Sequence, residues 1–450
     1  MDSIKKHLRT NLHIAVPVMI GQLGHIAVSV ADSVMVGQLG TLPLAAAALA
    51  NSLFSVFMVF GIGVVMGITP LVANAEGRGG RHLQAVVLQH GFWIGLGLGV
   101  LLFFGSMTLG PFIHLLGQDE GVVPLTLPYL AIISASVIPL VVFLVFKQFA
   151  EGLSDTRTAM VISIGCNVLN IGLNYLLIYG NWGFPELGLN GAGWATLIAR
   201  ILMMATMWWY VFRHARFAKF KLKLWGATLR MKVARRILDL GVPSGLQYIF
   251  EVGAFSAAAV LAGMISAPAL AAHHIAINIA SVSYMAATGL GAAASVRIGN
   301  QLGRRDAMNL RRAAFTLFAM TAGWMAFAGL VILTFNKPLA GFYTDDPVVL
   351  RLAAQMLMVV VLFQLSDGLQ AVGLGALRGL QDVKIPTLIT FLAYWVLTLP
   401  AAYLFSQHSS LGVMGIWYAL AGGLTVSAVL LLARFWRLQR RFAERWQGLI

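Results

Sequence analysis

Residues 16–40 read VPVMIGQLGHIAVSVADSVMVGQLG, an apolar run whose single formal charge is the carboxylate of Asp32. A helix needs about 20 mostly apolar residues to cross the hydrocarbon core of a bilayer, and this run is long enough. An unpaired carboxylate there costs at least ~2.5 kcal/mol on insertion scales, so Asp32 is expected to face a protein interior or a watery cavity. Two further acids, Glu251 and Asp367, interrupt apolar stretches of the same kind. These three are the leading functional candidates.

The pattern extends along the chain. Of its 450 residues 59% are hydrophobic and only 10% charged, with a mean hydropathy of +0.83, which excludes an ordinary soluble domain and reads as an all-α polytopic membrane protein. Twelve spans are expected, at residues 12–36, 44–73, 86–110, 122–148, 156–180, 189–212, 237–262, 270–298, 309–335, 348–376, 384–406 and 412–436. The 47 glycines fit, because small residues let helices approach closely where no hydrophobic effect drives them together. The 19 methionines and 26 phenylalanines have two readings, lipid-facing and core packing or the lining of an adaptable apolar cavity.

A net charge of +15 would point to nucleic acid in a soluble protein, so the placement of the 31 Lys and Arg decides its meaning. Alternate loops collect them: Lys5, Lys6 and Arg9; Arg78 and Arg81; Lys147 and Arg157; nine from Arg213 to Arg236; Arg297 through Arg312; Arg378 and Lys384; Arg434 through Arg445. The opposite loops hold chiefly Lys337 and Arg351. The positive-inside rule then puts both termini and the central loop in the cytoplasm, as an even number of spans requires. The central stretch RHARFAKFKLKLWGATLRMKVARR, residues 213–236, reads as an interfacial helix on anionic headgroups and as the linker between two halves, with no nucleic-acid partner. The Met1–Asn11 stretch is basic, but the apolar run after it is too long for a cleaved signal and lacks a small-residue cleavage site. The first span is expected to serve as an uncleaved insertion signal.

Shifting the chain by 226 residues reveals a repeat. Val16-Pro17 falls on Val242-Pro243, Gly37 on Gly263, Gly63 on Gly289, and Asn74, Gly77 and Arg78 on Asn300, Gly303 and Arg304. One residue later in register, Gly152-Leu153 and Asp155 match Gly379-Leu380 and Asp382. The expected domains are an N-lobe of six helices at 1–212, the linker at 213–236 and a C-lobe of six helices at 237–450. Six spans is an even number, so the copies share one orientation, related by an axis along the membrane normal, with a cavity between them.

The acids divide unequally between these halves. Asn170 and Asn174, in CNVLNIGLNYLLIYG, are four apart and share one helix face, and amides in hydrocarbon need partners. They either bond to neighbouring helices or join Asp32 in an oxygen-rich pocket for a proton or a hard cation such as Na⁺; Asp32 itself is either that ligand or a helix-end acid reaching outside water. Glu251 follows Gly245-Leu246-Gln247-Tyr248, and Asp367 sits in FQLSDGLQAVGLGALRG. A desolvated carboxyl favours its neutral form and a nearby cation its ionised one, so both can exchange a proton or cation. The competing reading is a structural salt bridge to a buried base, and Arg200 is the mid-span base to consider. In the ungapped repeat Glu251 aligns with His25 and Asp32 with Ala258, so the halves are built alike without being chemically equivalent. Two distinct sites follow, one around Asp32 and one around Glu251 and Asp367. All three acids are also candidates to meet a cationic substrate.

Other chemistries find little support. Cys166 stands alone, which excludes an intrachain disulfide framework and a cysteine metal cluster. His273 and His274 are adjacent, and helix neighbours point about 100° apart, a poor geometry for a metal. No phosphate loop, Ser-His-Asp order or zinc-binding helix motif occurs, so neither an enzyme nor ATP-driven transport is expected. Pro17 and Pro243, at matching places in the first helix of each half, can loosen those helices, and Pro139 and Pro386 lie within or beside other spans.

Together, VPVMIGQLGHIAVSVADSVMVGQLG, the LAAAALAN start of the second span and GLSDTRTAMVISIGCNVLNIGLNYLLIYG resemble the multidrug and toxic compound extrusion (MATE) family. The set of Asp32, Glu251 and Asp367 is similar to its NorM-like branch. The resemblance implies a cation-coupled antiporter that exports cationic, amphipathic drugs and dyes in exchange for Na⁺ or H⁺, a monomer among membrane lipids of the bacterial inner membrane with no cofactor. It also implies an N-lobe site of Asp32, Asn170 and Asn174, with Ala192 and Thr196 of GAGWATLIAR contributing oxygens, and a C-lobe site of Glu251 and Asp367, with Na⁺ a possible occupant of both. The runner-up is a flippase for a lipid-linked precursor, which would need a cationic central cavity. A channel or a membrane-embedded enzyme is weaker still.

Overall fold

In hydrocarbon a chain satisfies its backbone only by hydrogen-bonding within itself, so long apolar runs become helices. In the computed structural model, which describes residues 4–116, 121–225 and 230–447, twelve helices are long and apolar enough to cross a membrane. The first six are α1 Ile4–Gly37, α2 Thr41–Gly77, α3 Arg81–Ile113, α4 Val123–Gly152, α5 Thr156–Tyr179 and α6 Leu189–Arg213. The second six are α7 Met231–Ile265, α8 Ala267–Arg304, α9 Ala307–Gly341, α10 Pro347–Gly379, α11 Lys384–Gln407 and α12 Val413–Trp446. No strand occurs among the described residues. Several helices outrun their expected spans: α7 starts at Met231 and α12 runs to Trp446. Their polar ends carry basic residues on turns that propagate the helix beyond the apolar run.

The repeat is legible in the backbone. Gly79 and Arg305, 226 residues apart, both take the left-handed conformation, at φ 69° and 58°. Ser154 and Gln381, 227 apart, do the same at 62° and 60°. Side chains rarely adopt this region, so its recurrence at matching turns marks equivalent chain reversals.

The central basic stretch departs from expectation. Between the end of α6 at Arg213 and the start of α7 at Met231, only Ala215–Ala218 is helical among the described residues, and residues 226–229 lie outside them. Both of its phenylalanines turn into the protein, while Trp225 stays exposed: Phe217 and Phe220 are buried, with ring centroids 6.1 and 6.0 Å from that of Phe149 on α4. The Leu224 carbonyl accepts from Gln89 Nε2 at 3.3 Å and Trp93 Nε1 at 3.1 Å on α3. Burying these rings removes more apolar surface from water than resting them at an interface would.

The chain forms two compact units, and their boundary does not fall in that stretch. One unit is Ile20–Gly245; the other is Met1–Met19 together with Leu246–Ile450. The expected lobes at 1–212 and 237–450 therefore exchange ends: α1 and α7 each begin in one unit and finish in the other. In the second unit, the start of α1 is held by buried polar groups. Arg297 Nη2 meets His7 Nδ1 at 2.9 Å and Arg297 Nε donates to Asn11 Oδ1 at 3.2 Å, while Asn11 Nδ2 donates to Thr316 Oγ1 at 2.9 Å. In the first unit, the start of α7 lies against α2 through glycines. A Cβ on Gly63 would stand 2.5 Å from Gly245 Cα, so nothing larger fits without movement. Pro17 and Pro243 stand just before the two crossing points.

Candidate functional site

In the Ile20–Gly245 unit the structure gathers four expected residues. Asn174, fully buried on α5, donates from Nδ2 to Asp32 Oδ1 at 2.5 Å. The Asn170 amide satisfies both its ends when its nitrogen faces Asp32: it then donates to Asp32 Oδ1 at 3.1 Å and accepts from the Thr196 backbone N–H at 3.2 Å. Helical spacing explains the convergence, since Asn170 and Asn174 stand one turn apart on one face of α5. Asp32 is half-buried and bonded to α5, so it is not a helix-end acid free in water. Ala192 is buried one turn before Thr196 and brings no side-chain donor or acceptor. One atom is left over: Asn174 Oδ1 is buried without a hydrogen-bond partner among the described residues. A neutral oxygen beside a carboxylate, lacking a donor, suits a hard cation better than an apolar neighbour.

Arg200, one turn beyond Thr196 on α6, stays with this unit. Its Nη1 donates to Ser136 Oγ at 2.6 Å, its guanidinium lies 5.6 Å from the centre of the Phe54 ring, and its charge acts on Asp32. The base that acts on Glu251 is instead Arg378, which also hydrogen-bonds Tyr248. In the sequence Arg378 reads as a loop base, but α10 continues to Gly379 and buries it at 5% exposure.

In the other unit Glu251 and Asp367 are both buried, on α7 and α10, and the charge of Glu251 acts on Asp367. Tyr284 of α8 donates its hydroxyl to Glu251 Oε1 at 2.7 Å. Asp367 is flanked one turn either way by Gln364 and Gln370, both buried. Gln364 donates from Nε2 to Ser283 Oγ and Gln370 from Nε2 to Tyr394 Oη at 2.7 Å, and the Oε1 atoms of both have no partner among the described residues. Both units thus hold acids in apolar helices together with buried amide oxygens that lack a donor among the described residues. The glutamines were missed in the sequence, although their signal is present, polar residues three before and three after Asp367 on one helix face. Tyr284 and Tyr394 carried no such signal, because their partners lie on other helices. His273 and His274 have ring centroids 6.1 Å apart, and no group of three metal-binding side chains occurs among the described residues.

The comparisons with known proteins agree with this architecture. The MatE family profile matches residues 17–176 and 243–404, one block in each half of the repeat. The chain is 35% identical over 447 residues to the probable multidrug resistance protein NorM of Rhizobium meliloti (strain 1021), covering 98% of this chain and 95% of that protein. It is 33% identical over 441 residues to the multidrug resistance protein MdtK of Yersinia pseudotuberculosis serotype O:1b (strain IP 31758), covering 96% of each. A crystal structure of MATE in the bent conformation superposes with a TM-score of 0.91 over 99% of this chain and 98% of that one, at 20% identity, a likeness of fold. Two matched halves, twelve spans and full-length relatives lead to one conclusion: this chain is a multi-pass membrane protein of the MatE, or multidrug and toxic compound extrusion, family, similar to its NorM-like members.

Proposed function

We propose that the protein exports cationic, amphipathic drugs and dyes across the bacterial inner membrane by antiport against Na⁺ or H⁺, with both termini in the cytoplasm. The observation that carries this reading is an acid in an apolar helix accompanied in each unit by buried amide oxygens with no donor among the described residues: Asp32 bonded to Asn174, and Asp367 one turn from Gln364 and Gln370 on the same helix. Such a group binds a proton or small cation, and equally meets the positive charge of a drug. The relatives' names as multidrug resistance proteins support the substrate class.

The mechanism is one of differential affinity. A coupling cation on the carboxylates favours one arrangement of the protein and the drug favours another, and each shifts the equilibrium only by the difference in its affinity for the two. One charge moving through 100 mV supplies ~2.3 kcal/mol, enough for roughly a fiftyfold concentration ratio. No bond is made or broken, so transport needs no catalytic group or cofactor. Arg200 and Arg378 each stand near an acid of their own unit, which speaks against the open cationic cavity that a lipid-precursor flippase would need.

Reconstituted vesicles test this. Ethidium export that responds to an imposed Na⁺ or pH gradient supports antiport, and indifference to both contradicts it. Running the gradients separately identifies the ion.

A further inference from the structure

Helix α11 is not regular. Pro400 has no N–H to give the carbonyl of Val396, and its ring crowds that carbonyl. Immediately upstream the helix widens into a π-helical turn over Leu392–Thr398. Thr398 Oγ1 supports the wide turn by donating to the Ala393 carbonyl, five residues back, at 2.8 Å. Such turns are rare and occur mostly as single insertions at functional positions.

The consequence is where two neighbouring side chains go. Trp395 Nε1 donates to the Phe250 carbonyl at 3.0 Å, directly beside Glu251, and Gly253 leaves room for its indole. The fully buried Tyr394 lies with its ring centroid 6.2 Å from that of Phe255, one turn past Glu251, and its hydroxyl accepts from Gln370, one turn past Asp367, at 2.7 Å. Tyr394 therefore spans from the helix of one acid to the helix of the other. Both carboxylates act on it electrostatically. By taking the Gln370 N–H, it leaves Gln370 Oε1 without a partner among the described residues, and its own hydroxyl proton remains to be given.

We infer that Tyr394, placed by the π-helical turn, is a positioning residue that sets the cation affinity of the Glu251 and Asp367 site by fixing the amide of Gln370, one helical turn from Asp367. This rests on the antiport reading above. A residue that merely filled space would need no hydroxyl: phenylalanine would pack against Phe255 equally well and leave the Gln370 amide to rotate. The bond holds in one orientation an amide that stands one turn from the carboxylate on the same helix, and a fixed neutral oxygen is what distinguishes a tuned cation site from a bare acid.

The test is ethidium efflux from vesicles holding wild-type, Tyr394→Phe or Thr398→Val protein. Rates are measured against Na⁺ concentration at fixed pH and against pH without Na⁺. Tyr394→Phe raises the half-saturating concentration of the coupling ion about tenfold, the loss expected when a ligand to a charged group is no longer held. The half-saturating ethidium concentration and the maximal rate stay near wild type. Thr398→Val touches neither acid and shifts the ion dependence in the same direction, so the idea is still testable if Tyr394→Phe fails to fold. Wild-type export driven by a gradient, with both variants matching it in ion dependence, overturns the role of Tyr394 and leaves the antiport reading standing. Equal loss of ion and ethidium affinity overturns it too, by showing a general packing defect. Wild-type protein indifferent to both gradients removes the antiport reading and this inference with it.

Discussion

Asn174 holds Asp32 through a 2.5 Å hydrogen bond from its amide nitrogen, while the oxygen of that same amide is buried with no donor among the described residues. One side chain thus both orients the carboxylate and offers a second oxygen next to it. Asn174→Leu removes both. Since a hydrogen bond to a charged group is worth roughly 1.5–3 kcal/mol, cation affinity at this site falls about tenfold or more. Calorimetric titration of the purified protein with the coupling ion measures it; an unchanged affinity would exclude the amide from the site.

The two carboxylate sites are separate in sequence and in partners. Asp32→Asn and Glu251→Gln are expected to abolish different components of Na⁺ binding or proton uptake, each leaving the other nearly intact. Measured on the variants one at a time, identical loss of a single component would reduce the two sites to one.

Gly63 meets the Gly245 backbone so closely that an added Cβ would stand 2.5 Å from its Cα. Gly63→Ala forces two backbones apart, and overpacking of this kind costs about 1–3 kcal/mol. The melting temperature of the detergent-solubilised protein falls by several degrees, whereas Gly97→Ala, with nothing within 4 Å of the new Cβ, leaves it unchanged. Equal melting temperatures for the two variants would contradict the close contact.

Arg297 reaches both His7 and Asn11, which are themselves buried. Arg297→Met leaves their acceptor atoms without that donor, at about 1–3 kcal/mol for each buried group left unsatisfied. The first turns of α1 then open more often, and amide hydrogen exchange over residues 4–19 accelerates relative to residues 20–37. Uniform acceleration along α1 would mean that the network does not anchor its start.

Much of this was legible in the sequence, for physical reasons that differ by residue. The length of an apolar run is a one-dimensional signal, so the twelve spans could be read directly, and Asp32, Glu251 and Asp367 stood out because a charge in such a run is costly. Asn170 and Asn174 showed through their spacing. Gln364 and Gln370 share a face with Asp367 in the same way, but a neutral amide is a weaker anomaly than a charge. Arg378 stands beside a glycine at the edge of a polar turn, and only the continuation of α10 to Gly379 reveals that it is buried. Tyr394 depends on a widened turn upstream of Pro400, and its partners come from two other helices. The unit boundary in α1 and α7 was invisible, because it is set by which helices meet Gly245 and His7 and not by composition.

That boundary bears on the origin of the molecule. Each half of the repeat lends the beginning of its first helix to the unit built by the other. A half-length ancestor with the same sequence logic would have kept an unfilled groove on its own bundle and a dangling helix end, each the complement of the other. Two such copies trading ends form a domain-swapped dimer, a low-cost route to association. Joining them through the stretch at 213–236 would make that exchange permanent, so fusion would here have captured a dimer and not merely lengthened a monomer.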